Sequence, residues 1–201
     1  MNTQSRLDQQ LDFLLEIDKL KKISRRNLLA DGSRTENTAE HSWHIAILSA
    51  VLQEYSNDSV NLQHVSLMLL IHDIVEIDAG DTYAYDSVGY EDKEEREHQA
   101  AERIFSLLPN DQYERFKSLW LEFEEMKTPE SCFANAADRL MPLLHNYYSG
   151  GAIWVDNKIC KSQIMNRIAP MKNGSEVLWK AACQIVEKAV NDGFVINDDA
   201  F

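Results

Sequence analysis

Apolar residues recur along this chain at helical spacing from one end to the other. Leu7, Leu11, Leu14, Leu15, Ile17 and Leu20 predict a first amphipathic helix, with Lys19, Lys21 and Lys22 near its C-terminal end. The polar stretch Asp31-Gly-Ser-Arg-Thr-Glu-Asn-Thr38 reads as a loop, and Asn37 or Thr38 stands where an N-cap is needed. A second helix is expected over about residues 39–55. Its apolar residues Trp43, Ile45, Ile47, Leu48, Val51 and Leu52 cover more than one face, which predicts a central, buried element. The segment from Val65 to Ile71 is apolar on all sides. That pattern fits a buried strand or a buried helix, and its Leu/Met content favours helix.

Residues 78–90 are rich in turn formers and predict a long loop of the kind that carries function. Amphipathic helices are then expected over 91–108 and 111–126, separated by Pro109 and Asn110, and over 131–148, ended by Gly150 and Gly151. Two more fall near 157–168 and 175–191, and 192–201 reads as a loose acidic tail. No internal repeat or linker interrupts the series, so residues 1–201 read as one all-α, single-domain helical bundle.

Composition and charge narrow the partners. No apolar run approaches the roughly 20 residues that span a bilayer, and the polar start does not resemble a signal peptide. Cys132, Cys160 and Cys183 are odd in number and widely spaced, which reads as reduced thiols in a cytoplasmic protein. A net charge of −13 disfavours a long nucleic acid. A small phosphorylated substrate is not disfavoured, because a metal ion and a few local cations can reverse the field inside a pocket.

The chemistry concentrates in a few residues. His72-Asp73 places an imidazole and a carboxylate at the end of an apolar helix, where an unpaired carboxylate is costly. His41 starts another buried helix, and Asp138 interrupts the apolar pattern of a third. Two imidazoles and two carboxylates form a mixed set suited to one borderline divalent ion, such as Mn, Co, Fe, Ni or Zn, with Mg a further option.

The order H…HD…D formed by His41, His72-Asp73 and Asp138, with intervals of 31 residues (41 to 72) and 65 residues (73 to 138), resembles the signature of the HD-domain metal-dependent phosphohydrolases. The surrounding text, Arg34-Thr-Glu-Asn-Thr-Ala-Glu-His41-Ser and His72-Asp-Ile-Val-Glu-Ile-Asp-Ala-Gly-Asp81, is similar to the branch containing bacterial 5′-deoxynucleotidases. The resemblance runs over about residues 20–148. It implies an all-α bundle of the HD type, often a homodimer. It also implies removal of phosphate from a nucleoside 5′-monophosphate by a metal-activated water. By residue it implies His41, His72, Asp73 and Asp138 as metal ligands, Glu76 and Asp81 as catalytic groups, and Arg26 as a phosphate contact. Arg25, one residue away, can take the same part, and Lys93 is a further candidate beside the Asp81 loop. Asn27 stands where the deoxynucleotidase pattern has tryptophan, which puts the preference for deoxyribose in doubt. His98 alone lies between Asp73 and Asp138 among histidines, which favours one metal over two and disfavours a di-iron oxygenase. Competing readings are a nucleotide pyrophosphohydrolase or alarmone hydrolase, and a non-catalytic ligand-binding module. Glu76 and Asp81 beside all four ligands argue against the last.

For other residues the structural role is the simpler one. His44 fits packing beside Trp43, Arg34 and Glu36 fit ordering of the loop before His41, and Tyr83 and Tyr85 fit a packed loop. The run 91–97 fits a solvated helix face.

Overall fold

The structure, a computed structural model, describes residues 4–86 and 89–198. Helix α1 (Arg6–Ile17) opens on a capping box between Ser5 and Asp8 and runs into a 3₁₀ turn over Asp18–Lys22. Next come two short antiparallel strands, β1 (Ser24–Leu28) and β2 (Thr35–Asn37), with Ser24 opposite Asn37 and Leu28 opposite Thr35. This hairpin occupies what the sequence presents as loop; Ser-Arg-Arg-Asn-Leu is too polar for a period-two signal to show. Asn37 and Glu40 form a second capping box that starts α2 (Thr38–Leu52). Asn61 caps α3 (Leu62–Ile71), so the apolar run is a helix. A 3₁₀ turn over His72–Val75 then leads into the single turn α4 (Glu76–Ala79).

The second half comprises α5 (Lys93–Phe105), α6 (Asn110–Glu125), α7 (Pro129–Tyr148), α8 (Ala152–Asp156), α9 (Lys161–Ile168), α10 (Met171–Gly174) and α11 (Glu176–Asn191). Apart from a 3₁₀ turn over Gln53–Tyr55 and one isolated bridge, the rest of the described residues is loop, so the all-helical expectation holds with one small hairpin added. The short helices α8 and α10 were not expected. Residues 87–88 of the expected 78–90 loop lie outside the described residues.

Helix α7 forms the axis. Thr128 caps it, Pro129 stands at its first position, and α2, α3, α6, α10 and α11 all pack on it. Phe133, Ala134, Ala136 and Ala137 expose no surface, and the three alanines allow neighbours to approach closely. Gly174 takes this furthest: a Cβ there would lie 2.1 Å from the Cys132 carbonyl oxygen. The chain beyond α11 is also packed, which corrects the expected loose tail from 192. Val195 is buried, Ile196 bridges to Cys160, and Asp198 accepts from the Ser162 backbone N–H at 3.0 Å. Residues 199–201 lie outside the described residues.

A second correction concerns α2. Trp43 is 61% exposed and Val51 67%, with Ile47 half exposed, so one apolar face of this helix is uncovered. Leu7, Leu11, Leu14 and Leu15 of α1 and Leu70 of α3 are exposed as well. Between these helices lies a groove of about 310 Å³ lined in part by Leu14, Ile17, Ala39 and Leu70. No helix among the described residues is long and apolar enough to cross a membrane.

Candidate metal centre and its pocket

Three elements meet at the four residues singled out by the H…HD…D pattern. The cap at Asn37 fixes the first turn of α2, which places His41 with no exposed surface. The end of α3 delivers His72 and Asp73, and the middle of α7 delivers Asp138. His41 Nε2 lies 3.0 Å from Asp138 Oδ1. His72 Nε2 lies 3.0 Å from Asp73 Oδ1 and 3.8 Å from Asp138 Oδ1. The ligand atoms of His41, His72 and Asp73 all fall within 4.8 Å of one another.

These donors fit a divalent cation. His72 Nδ1 is 2.8 Å from the Leu69 carbonyl and must donate to it, which leaves a lone pair on Nε2. That buried nitrogen has no hydrogen-bond partner, although two carboxylate oxygens face it. Lone pairs converging in a dry site call for a cation between them. Without one, burial disfavours charge on His72, yet Asp73 and Asp138 outweigh burial and raise its pKa well above the ordinary value. Burial works against ionised Asp73 and Asp138 too, and the neighbouring imidazoles, with Arg25 beside Asp73, hold both well below the carboxylate range.

Glu76 and Asp81 stand beside this cluster. In a 3₁₀ turn residues i and i+3 eclipse, so the turn at His72–Val75 sets Glu76 on the same side as Asp73. Glu76 is buried and accepts a 3.0 Å hydrogen bond from Thr38 Oγ1. Burial, then Asp73 and Asp81, push its pKa well above the ordinary value against the pull of Arg25. Burial and Asp73 also raise Asp81. Two carboxylates held ionised beside two pushed toward the acid form is an environment that separates acid and base roles. Gly80, at φ 75° and ψ 152°, holds a conformation open essentially to glycine alone, and it turns Asp81 back toward Arg25, 3.6 Å away. Arg96 fastens the same loop, donating to the carbonyls of Ala79 and Gly89 (2.9 Å to the latter). With Glu97 also buried, the 91–97 run is only partly the solvated face expected of it.

The cations are arranged differently from the pattern-based assignment. Strand alternation turns Arg25 inward, 2.9 Å from Asp73 Oδ2, while Arg26 is exposed with its guanidinium 4.9 Å from the Tyr83 ring centre. Asn27 faces the pocket, its amide 3.5 Å from the Pro142 carbonyl. Lys93 reaches the pocket wall and donates to Glu97 at 2.8 Å. Sequence alone assigns Glu36 only a part in ordering the loop, assigns His145 no role, and does not point to Arg139 or Arg167. Glu36 is 1% exposed, with Oε2 3.3 Å from His41 Nδ1 and 3.8 Å from Arg25 Nε, and Oε1 3.8 Å from His145 Nδ1. It stands behind His41, the facing atoms Oε2 and Nδ1 both buried and not hydrogen-bonded, so its place goes beyond ordering the loop, while Arg34 pairs with Glu40 at 2.8 Å. Glu36, His44 and His145 also bring ligand-type atoms within 4.8 Å of one another. His44 stacks on Trp43 as expected.

The cluster opens into a cavity of about 210 Å³ whose walls include Arg25, Glu76, Asp81, Lys93, Arg139 and Arg167. An adjoining cleft shares Arg25, Asp81, Arg139 and Arg167 and adds Asn27, Tyr83, Tyr85 and Leu143. The metal-side polar pocket thus continues into one with aromatic and apolar walls, the division expected of a site for an anionic group attached to a ring system.

A profile of the HD domain matches residues 17–179. The chain belongs to the HD-domain family. A solved chain from Magnetospirillum magnetotacticum MS-1, described as a predicted metal-dependent phosphohydrolase, is 47% identical, with a TM-score of 0.91 and 96% of each chain covered. Human 5′-deoxynucleotidase HDDC2 is 28% identical over 135 residues, 67% of this chain. The aligned part spans 65% of that human protein's length, slightly under two thirds. A conserved hypothetical protein from Pyrococcus furiosus, 21% identical with a TM-score of 0.64, shares the HD fold over 90% of this chain and 99% of its own.

Proposed function

We propose that this HD-domain chain is a divalent-metal-dependent phosphohydrolase that removes phosphate from a nucleoside 5′-monophosphate. The observation that carries the reading is the convergence of His41, His72, Asp73 and Asp138, with the unpartnered His72 Nε2 at its centre, on a cavity walled by Glu76 and Asp81. The similarity to a metal-dependent phosphohydrolase and to 5′-deoxynucleotidases supports it.

His41, His72, Asp73 and Asp138 would hold the ion; the set is compatible with Mn, Co, Fe, Ni, Zn or Mg. A bound divalent cation supplies Lewis acidity, polarising a phosphoryl oxygen and lowering the pKa of water. The chain's own residues do the rest. Glu76, whose burial favours the acid form, supplies a proton to the leaving sugar oxygen, and Thr38 fixes the direction of its carboxyl group. Asp81 orients a water or takes its proton, and Arg25 holds Asp81 and Asp73 in register. Tyr83, Tyr85 and Asn27 receive the sugar and base in the adjoining cleft.

The test is phosphate release from a panel of nucleotides and sugar phosphates with several metals. Glu76→Gln and Asp81→Asn are expected to keep the metal and the fold while kcat falls roughly 10²–10⁴-fold. Wild-type turnover in both variants refutes these roles. A homodimer belongs to the same reading, and the uncovered apolar face of α1, α2 and α3 supports it. Light scattering is expected to give twice the chain mass for the wild type, and the monomer mass for Ile47→Asp. A cytoplasmic setting accords with the three cysteines, which are free.

A further inference from the structure

Four cations line the metal-side cavity: Arg25, Lys93, Arg139 and Arg167. Two of them are already engaged. Arg25 has Asp73 at 2.9 Å, Asp81 at 3.6 Å and Glu36 at 3.8 Å. Lys93 has Glu97 at 2.8 Å. The other two have no carboxylate in hydrogen-bond or ion-pair contact among the described residues. Arg139 offers Nη2 only to neutral groups at long range, Asn135 Oδ1 at 3.4 Å and Met126 Sδ at 3.5 Å, and its Nε is buried without a partner. Arg167 forms no hydrogen bond or ion pair among the described residues. The two lie within reach of each other's charge, on different helices, and both line the metal-side cavity and the aromatic cleft. Two like charges facing one half-buried space, with Asp138 and Glu124 acting on Arg139 only through space, favour an anion that makes direct contacts to both.

The local charges indicate which anion. Asp73 and Asp138 face the ion, Asp81 faces Arg25 and Glu97 faces Lys93, while Glu124 on the same wall lies within charge range of Lys93 and Arg139 without an ion pair to either. Of the four cations, Arg139 and Arg167 are the two with no carboxylate in contact among the described residues. We propose that Arg139 and Arg167 form the phosphate subsite, binding the dianionic phosphate of a monoester at the junction of the two cavities. Longer phosphate chains carry further negative charge, and no other unpaired cation lines either cavity among the described residues. The subsite thus favours monoesters over phosphoanhydrides and takes the part that sequence similarity gives to Arg26. This inference rests on the phosphohydrolase reading and deepens it.

The experiment is calorimetric titration of inorganic phosphate, and separately of inorganic pyrophosphate, into manganese-loaded protein of known metal content. Loss of one charge-assisted contact is expected to weaken phosphate binding by ~10–100-fold in Arg167→Gln and in Arg139→Gln, with manganese affinity unchanged. KM for a hydrolysed monophosphate is expected to rise in parallel. Arg139→Lys, which keeps charge but not the planar fork, should fall between wild type and Arg139→Gln. Arg139 sits within α7, so Arg167→Gln on α9, checked by its melting curve, decides the matter if Arg139→Gln does not fold. Phosphate affinity within twofold of wild type in folded, metal-loaded Arg167→Gln overturns the subsite. Pyrophosphate bound tenfold more tightly than phosphate overturns its monoester character. A wild-type protein that binds phosphate through these arginines but hydrolyses no ester removes the enzymatic reading and leaves the subsite standing. Active wild type with Arg167→Gln unaffected does the reverse.

Discussion

Replacing Glu36 by Gln is the most informative single change behind the metal centre. Glu36 touches no cavity wall of the site, yet its Oε2 lies 3.3 Å from His41 Nδ1, whose other nitrogen faces Asp138 at 3.0 Å. Oε2 and Nδ1 are in close contact without a hydrogen bond between them, so the carboxylate acts on His41 through its charge, favouring a proton on Nδ1 and a lone pair on Nε2. Gln keeps nearly the same shape, removes the charge and turns one oxygen into an amide donor. An outer-shell change of this kind is expected to weaken metal binding roughly 10-fold in Glu36→Gln. Glu36→Ala removes both oxygens and also strips Arg25 Nε and His145 of their neighbour, so its loss should be greater, ~10–100-fold. The assay is competition for Mn²⁺ against a chromophoric chelator at fixed pH, with melting curves of the metal-free proteins run alongside. The order wild type, Gln, Ala is the signature of a brace acting through charge. Metal affinity within twofold of wild type in both variants, with the fold intact, refutes the reasoning.

Removal of a ligand should act more simply: His72→Ala and Asp138→Ala are each expected to lose stoichiometric metal and all activity together, as measured by elemental analysis and phosphate release. Asn27→Trp should raise the ratio of kcat/KM for deoxy- over ribonucleoside monophosphates, leaving metal content unchanged; an unaltered ratio places the sugar wall elsewhere, with Tyr83 and Tyr85 the next to mutate. Gly174→Ala forces a methyl group into the Cys132 carbonyl, and overpacking of this kind costs about 1–3 kcal/mol, which denaturant unfolding will register.

The four candidate ligands were legible because a carboxylate or imidazole in an apolar helix needs a reason to be there, and for His41, His72-Asp73 and Asp138 a shared metal is the reason their chemistry suggests. The helices were legible from their period. What escaped has a physical cause in each case. Glu36 lies in a polar stretch that looks like loop, and only the β1–β2 pairing carries it underneath His41. Arg25 and Arg26 are adjacent, and which one turns inward is set by a strand too polar to announce itself. Arg167 belongs to α9, beyond the region that carries the signature, and reaches the pocket only because α9 packs against α7. Trp43, Ile47 and Val51 are apolar yet exposed, since periodicity counts apolar residues and says nothing of what covers them.

The contact between Gly174 and the Cys132 carbonyl bears on how portable this centre is. A fragment ending at Tyr148 would retain every ligand of the H…HD…D pattern, and a designer reading motifs would take it as a sufficient cassette. It would lack the wedge that α10 drives against the start of α7, and the wall that α11 sets along the same helix. Asp138 would then hang from a helix free to tilt, and a ligand displaced by an ångström no longer closes a coordination sphere. The transplantable unit is the chain through about residue 198, in which segments without a single motif residue act as the jig for those that have them.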